Sequence, residues 1–296
     1  MRDAGPRVLV AGSVNIDHVL TVDRLPRRGE TVAALEHSRG GGGKGANQAA
    51  ACADAGVSTW LVACVGDDVA GAEAVADLAE RGIRVDAVVR TSAQPTGLAA
   101  VVTSRAERDN QIVVAGGANG HLGAADVDAA VRRARPAVVL VNFEIPDEAV
   151  ETAIAAARRC GALPIVNPAP FRPLWPALRG GILTPNESEA SQLLAIPRTE
   201  LGDPDSLATA FRDRLGDAWD AAVVTRGAAG AAVVSGTGAT FIAAPAVDVV
   251  DTTGAGDVFN GTLAAALSRG SRLSEAARLA VGAASASTLH HGARAR

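Results

Sequence analysis

The 296-residue chain contains no tyrosine, only three tryptophans and five phenylalanines. A surface that grips unstacked bases needs aromatic platforms and a basic groove. With a net charge of −4 and scattered arginines the chain offers neither, so nucleic acid is not an expected partner. The shortage of rings leaves Ala, Val and Leu to fill the core. No segment is apolar over the ~18–20 residues that a membrane span requires. No basic N-terminal region leads into an apolar one, as a signal peptide would. A cytoplasmic location without a membrane partner is expected. Cys52, Cys64 and Cys160 are odd in number and widely spaced, which suits buried reduced thiols better than a disulfide framework. There is no HExxH, and His290-His291 is the only adjacent histidine pair. Lysine is nearly absent: of 28 basic residues 27 are arginine, and Lys44 stands alone.

That lysine ends a glycine run, GGGGKGANQAA at 40–50. A phosphate-cradling P-loop reads G-x-x-x-x-G-K-[ST]. Aligned on Gly43-Lys44, its first glycine falls on Ser38 and its metal-binding hydroxyl on Gly45, so two of four fixed positions fail. Lysine is a compact charge on a thin stem, whereas arginine is a wide planar fork. A chain that otherwise uses arginine has placed its one slim cation here.

Short β-branched runs alternate with alanine-rich helical stretches. Strands are expected at 8–11, 59–65, 137–141, 163–167, 181–183 and 221–225, and helices at 46–55, 69–81, 147–159, 187–194, 257–269 and 274–289. Strands apolar on both faces, separated by helices, make an α/β fold with a mostly parallel sheet covered on both sides. Two regions break the alternation. Residues 18–22 and 30–38 mix polar and apolar side chains, and 98–103 and 111–114 flank the polar turn 104–110 of a hairpin. Four such strands could form a small second sheet, with one apolar face to lay over a site or a partner.

A second glycine cluster, DTTGAGDVFNG at 251–261, opens a helix. Gly254, Ala255 and Gly256 let backbone N–H groups approach a ligand, and the helix start adds unpaired donors and a positive dipole end. That arrangement suits a transferring phosphoryl group. Asp257 in the first turn either caps the helix or accepts a proton from an attacking alcohol. The dipole is expected to keep it ionised at neutral pH.

With both stretches in view, the chain resembles the ribokinase branch of the PfkB carbohydrate kinases over essentially its whole length. GGGGKGANQAA and DTTGAGDVFNG are the family's two signatures. VAGSVNIDHVLTVDRLPRRGETV (10–32), VNPAP (166–170), TPNESEA (184–190) and VVTRGAAG (223–230) support them. The resemblance implies a single catalytic domain over 1–296, a three-layer α/β/α sandwich with a small β-sheet lid inserted at about 17–40 and 96–116. It implies transfer of the ATP γ-phosphoryl group, with Mg2+, to the 5-hydroxyl of D-ribose, and a homodimer formed through the lid strands. Asp257 matches the family's catalytic base, and Gly254, Ala255 and Gly256 its anion hole. Asn15, Asp17, Gly43, Lys44, Asn47 and Glu144 match sugar-binding positions. Asn186 and Glu189 match the region that organises phosphate, magnesium and water, though Asn-x-x-Glu is also a helix capping box. Thr225, Arg226, Gly227 and Gly230 match a nucleotide-binding loop.

Potassium often activates such kinases. Asp251 and Thr253 match part of the ion site, and Ser287, His290 and Gly292 would complete it. Here the chain departs from the pattern. It ends LHHGARAR, with Arg296 where a small serine is common, and a cation there is unfavourable for binding another. Potassium activation is therefore left open. Kinases for 2-deoxyribose, adenosine or fructose remain alternatives, as does a sugar-binding regulator without activity, which intact Asp257 and anion-hole residues argue against. A dinucleotide-dependent oxidoreductase fails because no GxGxxG follows the first strand.

Overall fold

The computed structural model describes residues 7–106, 110–174 and 176–294. The first half runs β1 (Arg7–Ala11), β2 (Asn15–Val22), β3 (Glu36–Gly42), α1 (Lys44–Asp54), β4 (Ser58–Gly66), α2 (Val69–Glu80), β5 (Arg84–Thr91), β6 (Gly97–Ser104), β7 (Asn110–Ala115), α3 (Ala124–Ala134) and β8 (Val138–Asn142). The second half runs α4 (Asp147–Arg159), β9 (Leu163–Asn167), β10 (Ile182–Leu183), α5 (Glu187–Leu194), α6 (Pro204–Leu215), β11 (Ala221–Thr225), β12 (Ala231–Ser235), β13 (Gly238–Ile242), α7 (Ala255–Ser268) and α8 (Leu273–Ser287).

A nine-stranded sheet has the order β13-β12-β11-β10-β9-β8-β1-β4-β5, and a separate four-stranded sheet the order β3-β2-β6-β7. From β5 across to β11 every pairing in the large sheet is parallel. Alternate residues of each strand feed two cores. Leu9, Ala11, Val139 and Val141 pack beneath α3, α4, α5 and α6. Val8, Val10, Val138 and Leu140 pack beneath α1, α2, α7 and α8. Three layers result, and the parallel strands deliver their C-terminal ends to one edge, where open α/β sheets place ligands. No helix among the described residues is long and apolar enough to cross a membrane.

The structure corrects several local expectations. The hairpin β12–β13 is antiparallel at the sheet's edge, and β5, α3 and α6 are additional elements. The second lid strand starts at Glu36, not residue 30, because it is exposed almost throughout and has no alternation to mark its ends. Gly40 to Gly42 belong to that strand, paired with Asp17, Ile16 and Asn15, so most of the glycine run is sheet and not loop. Asn15 and Asp17, which follow β1, sit on β2. Residues 107–109 of the expected hairpin turn lie outside the described residues. Of the cysteines, Cys52 and Cys64 are buried as expected, but Cys160 is exposed at the end of α4.

Helices α1 and α7 cross closely at Gly261. A Cβ there would lie 2.5 Å from Ala51 Cβ and 2.6 Å from Gln48 O. Cys52 Sγ donates to Gly261 O at 3.3 Å across the same contact. Gly261→Leu should force the helices apart and cost about 1–3 kcal/mol, the usual range for overpacking. An unchanged urea midpoint for that variant would show that the crossing is not tight.

Candidate active site

Strand β8 ends in Asn142 and β9 in Asn167, each a buried amide capping an apolar run. Both are held by Gln48 on α1, which is fully buried. Asn142 Nδ2 donates to Gln48 Oε1 at 3.4 Å, and Gln48 Nε2 donates to Asn167 Oδ1 at 3.1 Å. Asn167 Nδ2 donates to Thr184 O at 3.0 Å. Thr184 Oγ1 donates to Asn260 Oδ1, and Asn260 Nδ2 to Gly256 O at 2.8 Å. One chain of amides thus fixes the first turn of α7 against three strand ends.

Asp257 sits in that turn, 7% exposed. Its two oxygens accept from Asn47 Nδ2 and Gln48 Nε2, both at 3.1 Å. Burial pushes its carboxyl up from the ordinary carboxylate range, against the charge of Lys44 and the two amide donors. Beside the helix dipole, desolvation therefore acts on this carboxyl in the opposite direction. Lys44 is the first residue of α1. Its ammonium is held above its usual range mainly by Asp257, with burial opposing and Glu144 and Glu189 assisting. A buried carboxylate that retains donors and a neighbouring cation is positioned to take a proton.

Gly254, Ala255 and Gly256 lie as expected at the start of α7, with Gly254 in the left-handed region at φ 75°. Ala255 N is turned inward to Thr252 O at 3.2 Å, whereas Gly256 is exposed.

Lid and sheet meet beside Asp257. Glu144 Oε2 accepts from Ser13 Oγ and from Lys44 N at 3.1 Å. Asn15 Oδ1 accepts from Asn119 Nδ2 at 2.7 Å, and Asn119 Oδ1 from Val14 N at 2.8 Å. Asp17 Oδ1 is buried without a hydrogen-bond partner among the described residues. A Cβ on Gly42 would fall 1.9 Å from that oxygen, so the Asp17 carboxyl fills the space a side chain at 42 would take. Burial raises the Asp17 carboxyl to about 6, with Arg294 opposing and Glu144 and Asp257 adding to the rise. An acceptor left bare in a polar recess is what a hydroxylated ligand would satisfy.

On the other flank, Asn186 and Glu189 form a true capping box: Asn186 Oδ1 accepts from Glu189 N at 2.9 Å and Glu189 Oε2 from Asn186 N at 2.8 Å. Burial raises the Glu189 carboxyl. Thr225 N donates to Pro185 O at 2.9 Å, and Arg226 N closes the next loop on Gly230 O at 2.8 Å. Arg226 stacks on Phe241, 4.8 Å from its ring centre. Asp251 gathers Thr253 N at 2.8 Å and Gly292 N at 2.9 Å. Ser287 Oγ instead donates back to Ala284 O at 2.8 Å, and His290 is exposed, so these two are not drawn to Asp251. Arg296 lies outside the described residues. No group of three or more His, Cys, Asp or Glu side chains converges on a metal-sized point among the described residues.

Sequence reasoning missed Asn119, Asn142, Asn167, Asn260 and Arg294. An asparagine at the end of an apolar strand was the available signal for Asn142 and Asn167. Asn119, in a glycine-rich turn, carried none.

Comparison with known proteins bears on the fold and the family. Residues 6–296 match the model of the pfkB family carbohydrate kinases. The ribokinase of Bacillus subtilis is 37% identical over 290 residues, covering 97% of this chain and 94% of that protein. The deoxyribokinase of Salmonella typhi is 30% identical over 261 residues, covering 87% and 84%. The structure of Arabidopsis thaliana ribokinase complexed with ribose and ATP superposes with a TM-score of 0.87 at 32% identity, covering 98% of this chain and 94% of that one.

Asp17 supplies a test that needs no ligand. Its carboxyl titrates higher in the folded than in the unfolded chain, so the protonated form stabilises the fold. That contribution is complete below about pH 4, the unfolded value, and is lost as pH rises through about 6. Asp17→Asn should therefore gain stability relative to the parent between these limits, read as a widening difference in urea midpoints. A difference that stays flat with pH would contradict the burial argument.

Proposed function

The chain belongs to the pfkB family carbohydrate kinases, and from that premise we propose that it transfers the γ-phosphoryl group of ATP to the 5-hydroxyl of D-ribose. The observation that carries this reading is the buried Asp257 at the start of α7, clamped by Asn47 and Gln48 and flanked by Lys44. The similarity to ribokinases over nearly the full chain supports the choice of sugar. Asn15, Asp17, Gly43, Asn47 and Glu144 would hold the sugar hydroxyls, with the bare Asp17 oxygen accepting from one of them. Asp257 then receives the proton as the attacking oxygen forms its bond to phosphorus. The Gly254 to Gly256 turn faces the charge on the phosphoryl oxygens, and Lys44 balances the carboxylates around it. Positioning and electrostatics supply most of the rate. Thr225, Arg226, Gly227 and Gly230 would border the nucleotide.

The residues present fit a magnesium ion held mainly by phosphates and water: Glu189 Oε1 has no protein partner among the described residues, while its other oxygen is committed to the cap. Magnesium would neutralise the phosphate charge. The potassium set does not fit as it stands: both Asp251 oxygens accept from the N–H groups of Thr253 and Gly292, which are donors and not ligands, and Ser287 Oγ donates to Ala284 O. We place a homodimer at the lid, where Ile112, Val113 and Val114 of β7 are exposed apolar residues.

A second reading, phosphorylation of 2-deoxyribose, is favoured by the similarity to a deoxyribokinase. ADP release measured with ribose, 2-deoxyribose, fructose and adenosine separates the readings. Ribose should give the highest kcat/KM, and turnover of 2-deoxyribose alone would overturn the first. Asp257→Ala should lower kcat at least ~10²-fold, the lower end for losing a positioned base. A near-parental rate would remove Asp257 from the mechanism. Equal rates in potassium and sodium at matched ionic strength are expected from the incomplete ion set, and activation by potassium alone would contradict that.

A further inference from the structure

The segment after α8 carries Arg294 into the site from a part of the chain outside both glycine signatures. The side chain is 6% exposed. Its three nitrogens are all engaged. Nε donates to Asn47 Oδ1 at 2.8 Å, Nη2 to Gly42 O at 2.9 Å, and Nη1 to Asp77 Oδ2 at 3.1 Å. The fork thereby joins α1, the end of lid strand β3, and α2. Gly41 is shaped around it, since a Cβ there would meet Nη1 at 2.6 Å. Ala293 packs against Gly254 in the same way, its Cα 2.6 Å from where a Gly254 Cβ would stand.

We propose that Arg294 is a positioning residue of the sugar site, fixing the Asn47 carboxamide so that its NH2 faces Asp257 and bracing the end of the lid strand beside Asp17. This rests on the reading of Asn47 and Asp257 given above. A carboxamide has one accepting and one donating end. Guanidinium can only donate and carboxylate can only accept, so Arg294 on one side and Asp257 on the other allow Asn47 one orientation. Without Arg294, Asn47 Oδ1 loses its donor, and nothing prevents the amide from swinging away from Asp257. The charged groups facing Arg294 are Asp77, Arg81 and Asp17. Those facing Asp257 are Lys44, Glu144 and Asp17.

Four proteins test the idea: the parent, Arg294→Ala, Asn47→Ala and the double variant. Because Arg294 acts through Asn47, its effects should not multiply. Arg294→Ala should lower kcat and raise the sugar KM, with kcat/KM for ribose falling about 10-fold or more, as misplacing a site group does. The double variant should be within about twofold of Asn47→Ala. Arg294→Lys should recover little, because a point charge cannot bridge three acceptors. Multiplicative losses, or full recovery with lysine, would overturn the proposal. So would a lower sugar KM in Arg294→Ala, which would make Arg294 a plug that sugar displaces. Urea unfolding of the same four proteins without sugar should show coupling between the two positions, and its absence would refute the contact. If the parent turns over another sugar but not ribose, the substrate assignment fails, while the unfolding cycle still decides the role of Arg294.

Discussion

The site depends on one close contact. Helices α1 and α7 meet at Gly261, where α7 presents no side chain and Ala51, Cys52 and the backbone of Gln48 close in on it. This is what brings two amides from one helix onto the carboxylate of the other. Burying Asp257 would be costly without such donors. Asn47 and Gln48 are adjacent in sequence, so each can serve a different oxygen while Gln48 also reaches the amides at the ends of β8 and β9. The core of the sheet, the first turn of α7 and the helix crossing are therefore one bonded unit.

Charge is balanced as tightly as volume. Asp17, Glu144, Asp257 and Glu189 all approach the same recess, and Lys44 is the cation that three of them share. A fork of arginine's width would compete for space with the ligand, whereas a lysine stem adds charge without closing the recess. The cluster is not free of strain in the electrostatic sense: Asp17, Glu189 and Asp257 are all pushed upward by burial. Sites that must bind polar ligands commonly keep such groups poised and underpartnered.

Much of this was legible in the sequence. The apolar strands of the central sheet announced themselves, because residues buried on both faces leave a continuous β-branched run. Helices α4 and α5, with acids in their first turns, fell where they were expected. The edge hairpin β12–β13 was hidden because GTGATF has little periodicity, and β3 because its side chains face outward. Among site residues, the glycine signatures and their neighbours carried enough pattern to be found. Asn119 and Arg294 did not, since each acts through a contact more than 100 residues away in the chain. Such contacts are decided by topology and leave no local trace.

The same distance explains why the segment after α8 matters to the whole site. Within residues 288–294, Thr288 O accepts from Val250 N and Asp251 N, Gly292 N donates to Asp251, Ala293 lies on Gly254, and Arg294 reaches Asn47 and Gly42. It therefore touches the turn that opens α7 as well as strand β3 and helix α1. A shift of the 251–254 turn bears on the peptide that carries Arg294. Packed elements of this kind move as discrete units and not by continuous deformation. Hence the two halves of the site, which the sequence presents as signatures some two hundred residues apart, share a single strut.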